Sequence, residues 1–158
     1  MKIFISGSAK INTLNDTVER ILSKTVNSGH EILIGDCNGV DSLIQSYYAQ
    51  HNYPKVSVYH VGSQPRNFCT GFTAIQVPTE NEASAYRYYQ RKDIRMTELA
   101  DVGFVIWDGI SKGTCANIDR MLKAHKAVAV HLITTQKTYA LYQIEDLNAL
   151  KTMILKEN

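Results

Sequence analysis

The sequence is poor in cysteine, and its three cysteines, Cys37, Cys69 and Cys115, lie far apart with no Cys-x-x-Cys spacing. An odd number of scattered thiols argues against a disulfide scaffold and points to a reducing, cytoplasmic setting. No apolar run approaches the roughly 18 to 20 residues that a membrane helix needs, and Met1 to Gly7 is too short for a signal peptide. The chain is therefore expected to be neither exported nor embedded in a membrane. An excess of charge of one sign is also missing, because 17 basic and 15 acidic residues are interspersed to a formal net charge of +2. With no basic stripe to neutralise phosphates, nucleic acid is not expected as a partner.

Two signatures are absent as well. There is no Gly-x-Gly-x-x-Gly and no Gly-Lys-Ser or Gly-Lys-Thr, which sets aside ordinary dehydrogenases and P-loop NTPases. His30, His51, His60, His125 and His131 have no metal-ligand spacing with cysteines or acids, so each reads as a surface or strand-end histidine and no metal is expected.

What is present is an ordinary globular composition, 44% apolar and 20% charged over 158 residues, enough for one core and one domain across residues 1–158. Apolar, β-branched runs at Lys2 to Gly7, Glu31 to Gly35, Lys55 to Val61, Val102 to Trp107 and Ala127 to Ile133 read as five strands. Between them lie helical patterns. One carries Val18, Ile21, Leu22 and Val26 behind a Thr13 or Asn15 cap, and others run from about Asp41 to His51, Glu82 to Ala100 and Thr114 to His125. Ile144, Leu147, Leu150 and Ile154 mark a closing helix. Residues 62–81 show no clear periodicity, although Ala74 to Val77 fits a short extra strand. Strands alternating with helices predict an α/β, Rossmann-like three-layer sandwich with a mainly parallel sheet, its five strands ordered 3-2-1-4-5.

In such sheets ligands sit beyond the carboxyl ends of the strands, so the residues just past each strand carry the most information. They are Gly7-Ser8 after the first strand, Gly35-Asp36 through Gly39 to Asp41 after the second, and Asp108-Gly109 through Ser111, Lys112, Gly113 and Thr114 after the fourth. The last of these is the best phosphate candidate: its helix start offers free amides and a favourable dipole, two hydroxyls, a lysine, and no acid in the first turn. A plain Ser or Thr helix cap after a glycine turn remains open. Asp41, at the start of its own helix, would repel a phosphate and reads as a helix cap or a ribose contact. Tyr86, Tyr88 and Tyr89 read as packing or as a surface for a nucleobase. Those tyrosines and the apolar face of the closing helix together predict a homo-oligomer, a dimer.

Tyr89 to Met96, with Lys92-Asp93, followed by Ala100-Asp101, Trp107-Asp108-Gly109 and Ser111-Lys112-Gly113-Thr114, resembles the SLOG superfamily, in particular its small stand-alone branch related to DNA-processing and lonely-guy proteins. Gly35 to Asp41 resembles that branch's Gly-x-x-x-Gly-x-Asp element, and Arg66-Asn67 resembles its Arg-Asn pair. The resemblance, over about residues 2–133, implies a nucleotide-binding fold whose strand-end loops hold a nucleotide, an ADP-ribose-like molecule or a phosphoribosyl compound as ligand, with no certain cofactor. The lonely-guy enzymes carry glutamates just after the Gly-Thr pair, where this chain has Ala116 and Asn117, and an arginine near the position of Lys92. That departure withdraws support for their phosphoribohydrolase activity. Binding or sensing of a nucleotide-derived ligand is thus the leading expectation, and whether the chain is an enzyme stays open. The alternative is an enzyme acting at an N-glycosidic bond, with Asp93, Asp41 or Asp108 as the acid.

Overall fold

The computed structural model describes residues 1–157. In chain order the elements are β1 (Lys2–Gly7), α1 (Asp16–Asn27), β2 (Glu31–Ile34), α2 (Val40–Gln50), β3 (Val56–His60), β4 (Thr73–Gln76), α3 (Ala85–Leu99), β5 (Val102–Trp107), α4 (Lys112–Lys123), β6 (Val128–Leu132), β7 (Lys137–Leu141) and α5 (Ile144–Glu157). They form one seven-stranded sheet in the order β4-β3-β2-β1-β5-β6-β7. Within it the five strands expected from the sequence keep the order 3-2-1-4-5, all pairing in parallel. The sheet is wider than those five strands by one at each edge: the short extra strand that fitted Ala74 to Val77 is present as β4, one residue earlier, whereas β7 was not expected. β4 extends it in parallel beside β3, and β7 turns back antiparallel on β6.

Strand periodicity decides which layer each residue joins. In β1, Ile3 and Ile5 point to one face with Ile32, Ile34, Val56, Val58 and Ile106, where Val18 and Leu22 of α1 and Ile44 and Tyr48 of α2 cover them. Phe4 points the other way, with Leu33, Tyr59, Val105 and Val130, under Met96 of α3, Ile118 and Met121 of α4 and Leu147 of α5. Central strands covered on both faces read as unbroken apolar runs. Because β1 pairs with β2 on one side and β5 on the other, the chain reverses its direction of travel across the sheet between them. A crevice opens there beyond the strand ends.

Local chemistry sets the helix starts. Asn15, rather than Thr13, caps α1, its Oδ1 accepting from the Val18 amide at 2.9 Å. α3 begins at Ala85, later than the expected Glu82, because Ser84 caps it and Glu82 instead accepts from Arg91 Nε at 2.6 Å. α4 begins at Lys112, two residues before Thr114, so Gly113 and Thr114 lie inside the first turn. The irregular segment after β3 is fastened from below: Gln45 donates to the Gly35 and Asn67 carbonyls and accepts from the Cys69 amide.

Candidate functional site

Beyond the ends of β1, β2 and β5 lies a cleft of about 170 Å³, lined among others by Gly7, Gly35, Cys37, Asp41, Lys92, Asp93, Ser111, Gly113, Thr114 and Asn117. A second cleft of about 230 Å³ adjoins it, sharing Cys37, Lys92, Asp93, Gly113 and Asn117 and adding Arg66, Ala85, Tyr86, Tyr89, Gln90 and Arg120. The two clefts form one groove between α3 and α4. The larger groove of about 630 Å³ between α4 and α5 is lined by Trp107, Ile110, Cys115, Ile154, Leu155 and the lysines Lys112 and Lys151, with Asp119 the one acid among the described residues lining it. The smaller clefts bring together Asp41, Lys92, Asp93 and Arg66 with the start of α4.

One wall is the start of α4. The amides of Lys112, Gly113 and Thr114 find no acceptor among the described residues, and the first intrahelical bond runs from Cys115 N to Ser111 O. A Cβ built on Gly113 would meet nothing within 4 Å, so the backbone there stands open to the cleft. The Thr114 hydroxyl bonds to that of Ser111 at 3.0 Å. An acid does approach this turn, contrary to the sequence reading: Asp108 Oδ1 accepts from the amides of Ile110 and Ser111 at 2.9 and 2.8 Å. Burial works against the charge of Asp108, but those amides and the Ser8 hydroxyl hold its carboxyl below the usual value. Asp108 thus fixes the loop and leaves the next amides unoccupied.

The floor is an ionic trio in which Lys92 and Asp41 are buried and Asp93 is partly exposed. Lys92 arrives from α3 with its side chain 4% exposed and donates to Asp93 Oδ1 at 3.0 Å. Asp41, at the start of α2, accepts from the Cys37 amide at 3.0 Å. A Cβ on Gly35 would sit 2.7 Å from Asp41 Oδ2 and 3.1 Å from Lys92 Nζ, so only glycine leaves those two side chains room to converge. Burial pushes the Asp41 carboxyl up to about 6, against the pull of Lys92 and the Cys37 amide. Lys92 would be pushed down by burial, yet Asp93 and Asp41 hold it above its usual value. Cys37 lines both clefts beside this trio, and burial pushes its thiol up despite Lys92.

Other expected site residues turn out to hold the loops together. Asp36, 1% exposed, takes two bonds from the Arg66 side chain, at 2.8 and 3.3 Å, and one from its amide at 2.8 Å. Burial opposes the Asp36 charge, and Arg66 still holds its carboxyl below the usual range. Asn67 donates to Asp36 O and Asn38 Oδ1. Ser8 is buried and stitches β1 to Asp108 N. Gly39 packs against the Ala9 carbonyl, while Gly109 faces Leu132 and Ile154. Of the three acids considered for catalysis, Asp41 and Asp93 reach the cleft and Asp108 lines a separate depression with Lys10 and Asn15. Sequence reasoning noted Asn117 only as a departure from the lonely-guy glutamates and overlooked Arg120. They lie four and seven residues past Gly113, on one helix face, which a helical wheel from that glycine would have shown.

The fold and this strand-end crevice define a Rossmann-like α/β protein. No family model and no curated protein matches the sequence. Among solved structures the chain is similar to DNA processing protein A from Helicobacter pylori, with a TM-score of 0.60 and 14% identity, covering 99% of this chain and 81% of that one. At that identity the likeness shows the fold alone. That protein is described by its single-stranded DNA binding mode. The expectation that nucleic acid is not a partner is corrected accordingly. A small net charge does not exclude it on this fold, because single strands are held by local grooves and stacking surfaces rather than by whole-chain charge.

Proposed function

We propose that the cleft at the ends of β1, β2 and β5 binds the phosphate of a nucleotide unit, either a free nucleotide derivative or part of a single strand. The observation that carries this reading is the start of α4, where the amides of Lys112, Gly113 and Thr114 have no acceptor among the described residues and Gly113 opens onto the cleft. Amides and dipole there favour an anion. The resemblance to the SLOG superfamily belongs to the same proposal, supported by Lys92-Asp93 lining one cleft with Ser111, Gly113 and Thr114. A cytoplasmic setting also belongs to it, supported by three unpaired thiols. The likeness to a single-stranded DNA binder keeps strands among the ligands to test.

The test is calorimetry with nucleoside monophosphates, ADP-ribose, NAD, phosphoribosyl compounds and a short single strand. A ligand at one hundred times its dissociation constant stabilises the fold by roughly 2.7 kcal/mol, which a thermal shift also reads. Gly113→Leu directs its side chain into empty space, so the fold should persist while phosphate binding is lost. Unchanged affinity in that variant would place the phosphate elsewhere. A second reading, cleavage at an N-glycosidic bond, draws on Asp93 and on Asp41, the latter holding a proton up to about pH 6 inside the cleft. Release of free base from a monophosphate, abolished by Asp93→Ala, would support it.

A further inference from the structure

We propose that the second cleft is a nucleobase subsite, in which the ring of the bound nucleotide stacks on Tyr86 and turns an acceptor edge to Arg120. The inference rests on the phosphate reading above and adds what that reading leaves out, the part of the ligand that discriminates. α3 presents Tyr86, Tyr89, Gln90 and Asp93 along one face, at spacings of i, i+3, i+4 and i+7. Such a stripe ordinarily packs into a core, but here it lines a groove. Tyr89 is already covered, by the Arg66 guanidinium 4.2 Å above its ring and by Tyr88 edge-on at 5.0 Å. Tyr86 has no aromatic or cationic partner among the described residues and is 54% exposed. A large aromatic left open on a cleft wall suits a flat, apolar-faced ligand.

The opposite wall supplies polarity. Asn117, buried, donates to Ser6 Oγ at 2.9 Å and accepts from Arg120 Nη1 at 2.6 Å, which fixes the guanidinium at the groove. Arg120 has no carboxylate partner among the described residues, whereas Arg66 and Lys92 are both paired. Its remaining donors are free for ring acceptors, and a guanidinium meets the O6 and N7 of guanine in a bidentate pair. Gly113 belongs to both clefts, so a phosphate at its amide and a ring on Tyr86 occupy one continuous space.

The experiment is calorimetry on the full chain with ribose 5-phosphate, AMP, GMP and a short single-stranded oligonucleotide, repeated on Tyr86→Ala, Tyr86→Phe and Arg120→Ala. Tyr86 is a surface residue, so its variants should fold, and their melting temperatures check this. Stacking on one aromatic ring is worth on the order of ten-fold in affinity. GMP should therefore bind about ten-fold or more tighter than ribose 5-phosphate. Tyr86→Ala should erase that margin, Tyr86→Phe should keep it, and Arg120→Ala should weaken GMP more than AMP. If the oligonucleotide binds and the monophosphates do not, with the same dependence on Tyr86, the base comes from a strand and the subsite stands. Equal binding of ribose 5-phosphate and GMP, or a margin that survives Tyr86→Ala, overturns the subsite while the phosphate reading stands. Silence from every probe overturns both.

Discussion

Asp41 is a buried carboxylate that the fold holds at a disadvantage, so removing its charge should stabilise the protein at neutral pH. Burial raises its carboxyl from 3.8 to about 6 even though Lys92 and the Cys37 amide pull the other way. Because the folded value lies above the unfolded one, the native state binds the extra proton between the two. Stability from this group is complete below about pH 3.8 and is lost as the pH rises through about 6. A little over two pH units at ~1.36 kcal/mol each makes the ionised form cost about 3 kcal/mol at pH 7.5. Asp41→Asn keeps an oxygen for the Cys37 amide and carries no charge. In a chain of this size about 1 kcal/mol moves the melting temperature by roughly 2 to 4 °C, so the variant should melt on the order of 5 to 10 °C higher at pH 7.5. Near pH 4 the two proteins should converge. Urea titrations of both from pH 4 to 8 read Asp41 together with the Lys92 and Asp93 coupled to it, while groups distant from the trio cancel in the difference. A variant less stable than the parent at pH 7.5, or a difference that does not change with pH, would refute the reasoning.

Two further substitutions probe the scaffold of the site. Arg66→Ala strips the partner from Asp36, which is 1% exposed, while the arginine itself is 39% exposed. A loss of about 1 to 3 kcal/mol in urea unfolding is expected, below the range for fully buried pairs because solvent screens the exposed end. Arg66 also lowers the Asp36 carboxyl, so its stabilising effect is present above the unfolded value and fades as the pH falls through the folded one. In the variant that acid-side loss should shrink, and an unchanged acid limb would contradict the pairing. Gly35→Ala sets a Cβ 2.7 Å from Asp41 Oδ2. It should cost about 1 to 3 kcal/mol by overpacking. A melting temperature equal to the parent's would show that the trio is loose.

The central sheet is legible because buried parallel strands are unbroken apolar runs, as in Val102–Trp107, where five of six residues are buried. β7 is not, because Lys137–Leu141 lies at an edge with Lys137, Thr138 and Ala140 exposed. Its turn carries no glycine either. Gln136 takes the positive backbone angle, φ 59°, where a hairpin more often places Gly or Asn. The site was half legible. Glycines and hydroxyls just past strands mark the loops at the strand ends, so Gly113 and Thr114, which line the candidate cleft, could be found from spacing. Partnerships across the fold carry no such mark: nothing local in Arg66 tells that its guanidinium is spent on Asp36, thirty positions away.

The same blindness explains why net charge misled. A formal +2 counts every cation equally, whereas a ligand meets only those left over after pairing. Of the cations lining the two clefts, Lys92 is held by Asp93 and Arg66 by Asp36. Lys92 also faces Asp41, so the trio carries no surplus positive charge when both acids are ionised. On the proposed reading, an anion entering the first cleft would therefore depend on the α4 amides, fixed dipoles with no counter-ion to displace. The guanidinium of Arg120, without a carboxylate partner among the described residues, stands at the far end of the groove, two turns along the same helix. Attraction built in this way from backbone and one arginine would leave almost no trace in composition, and it would be local enough to act on the single nucleotide unit proposed as ligand.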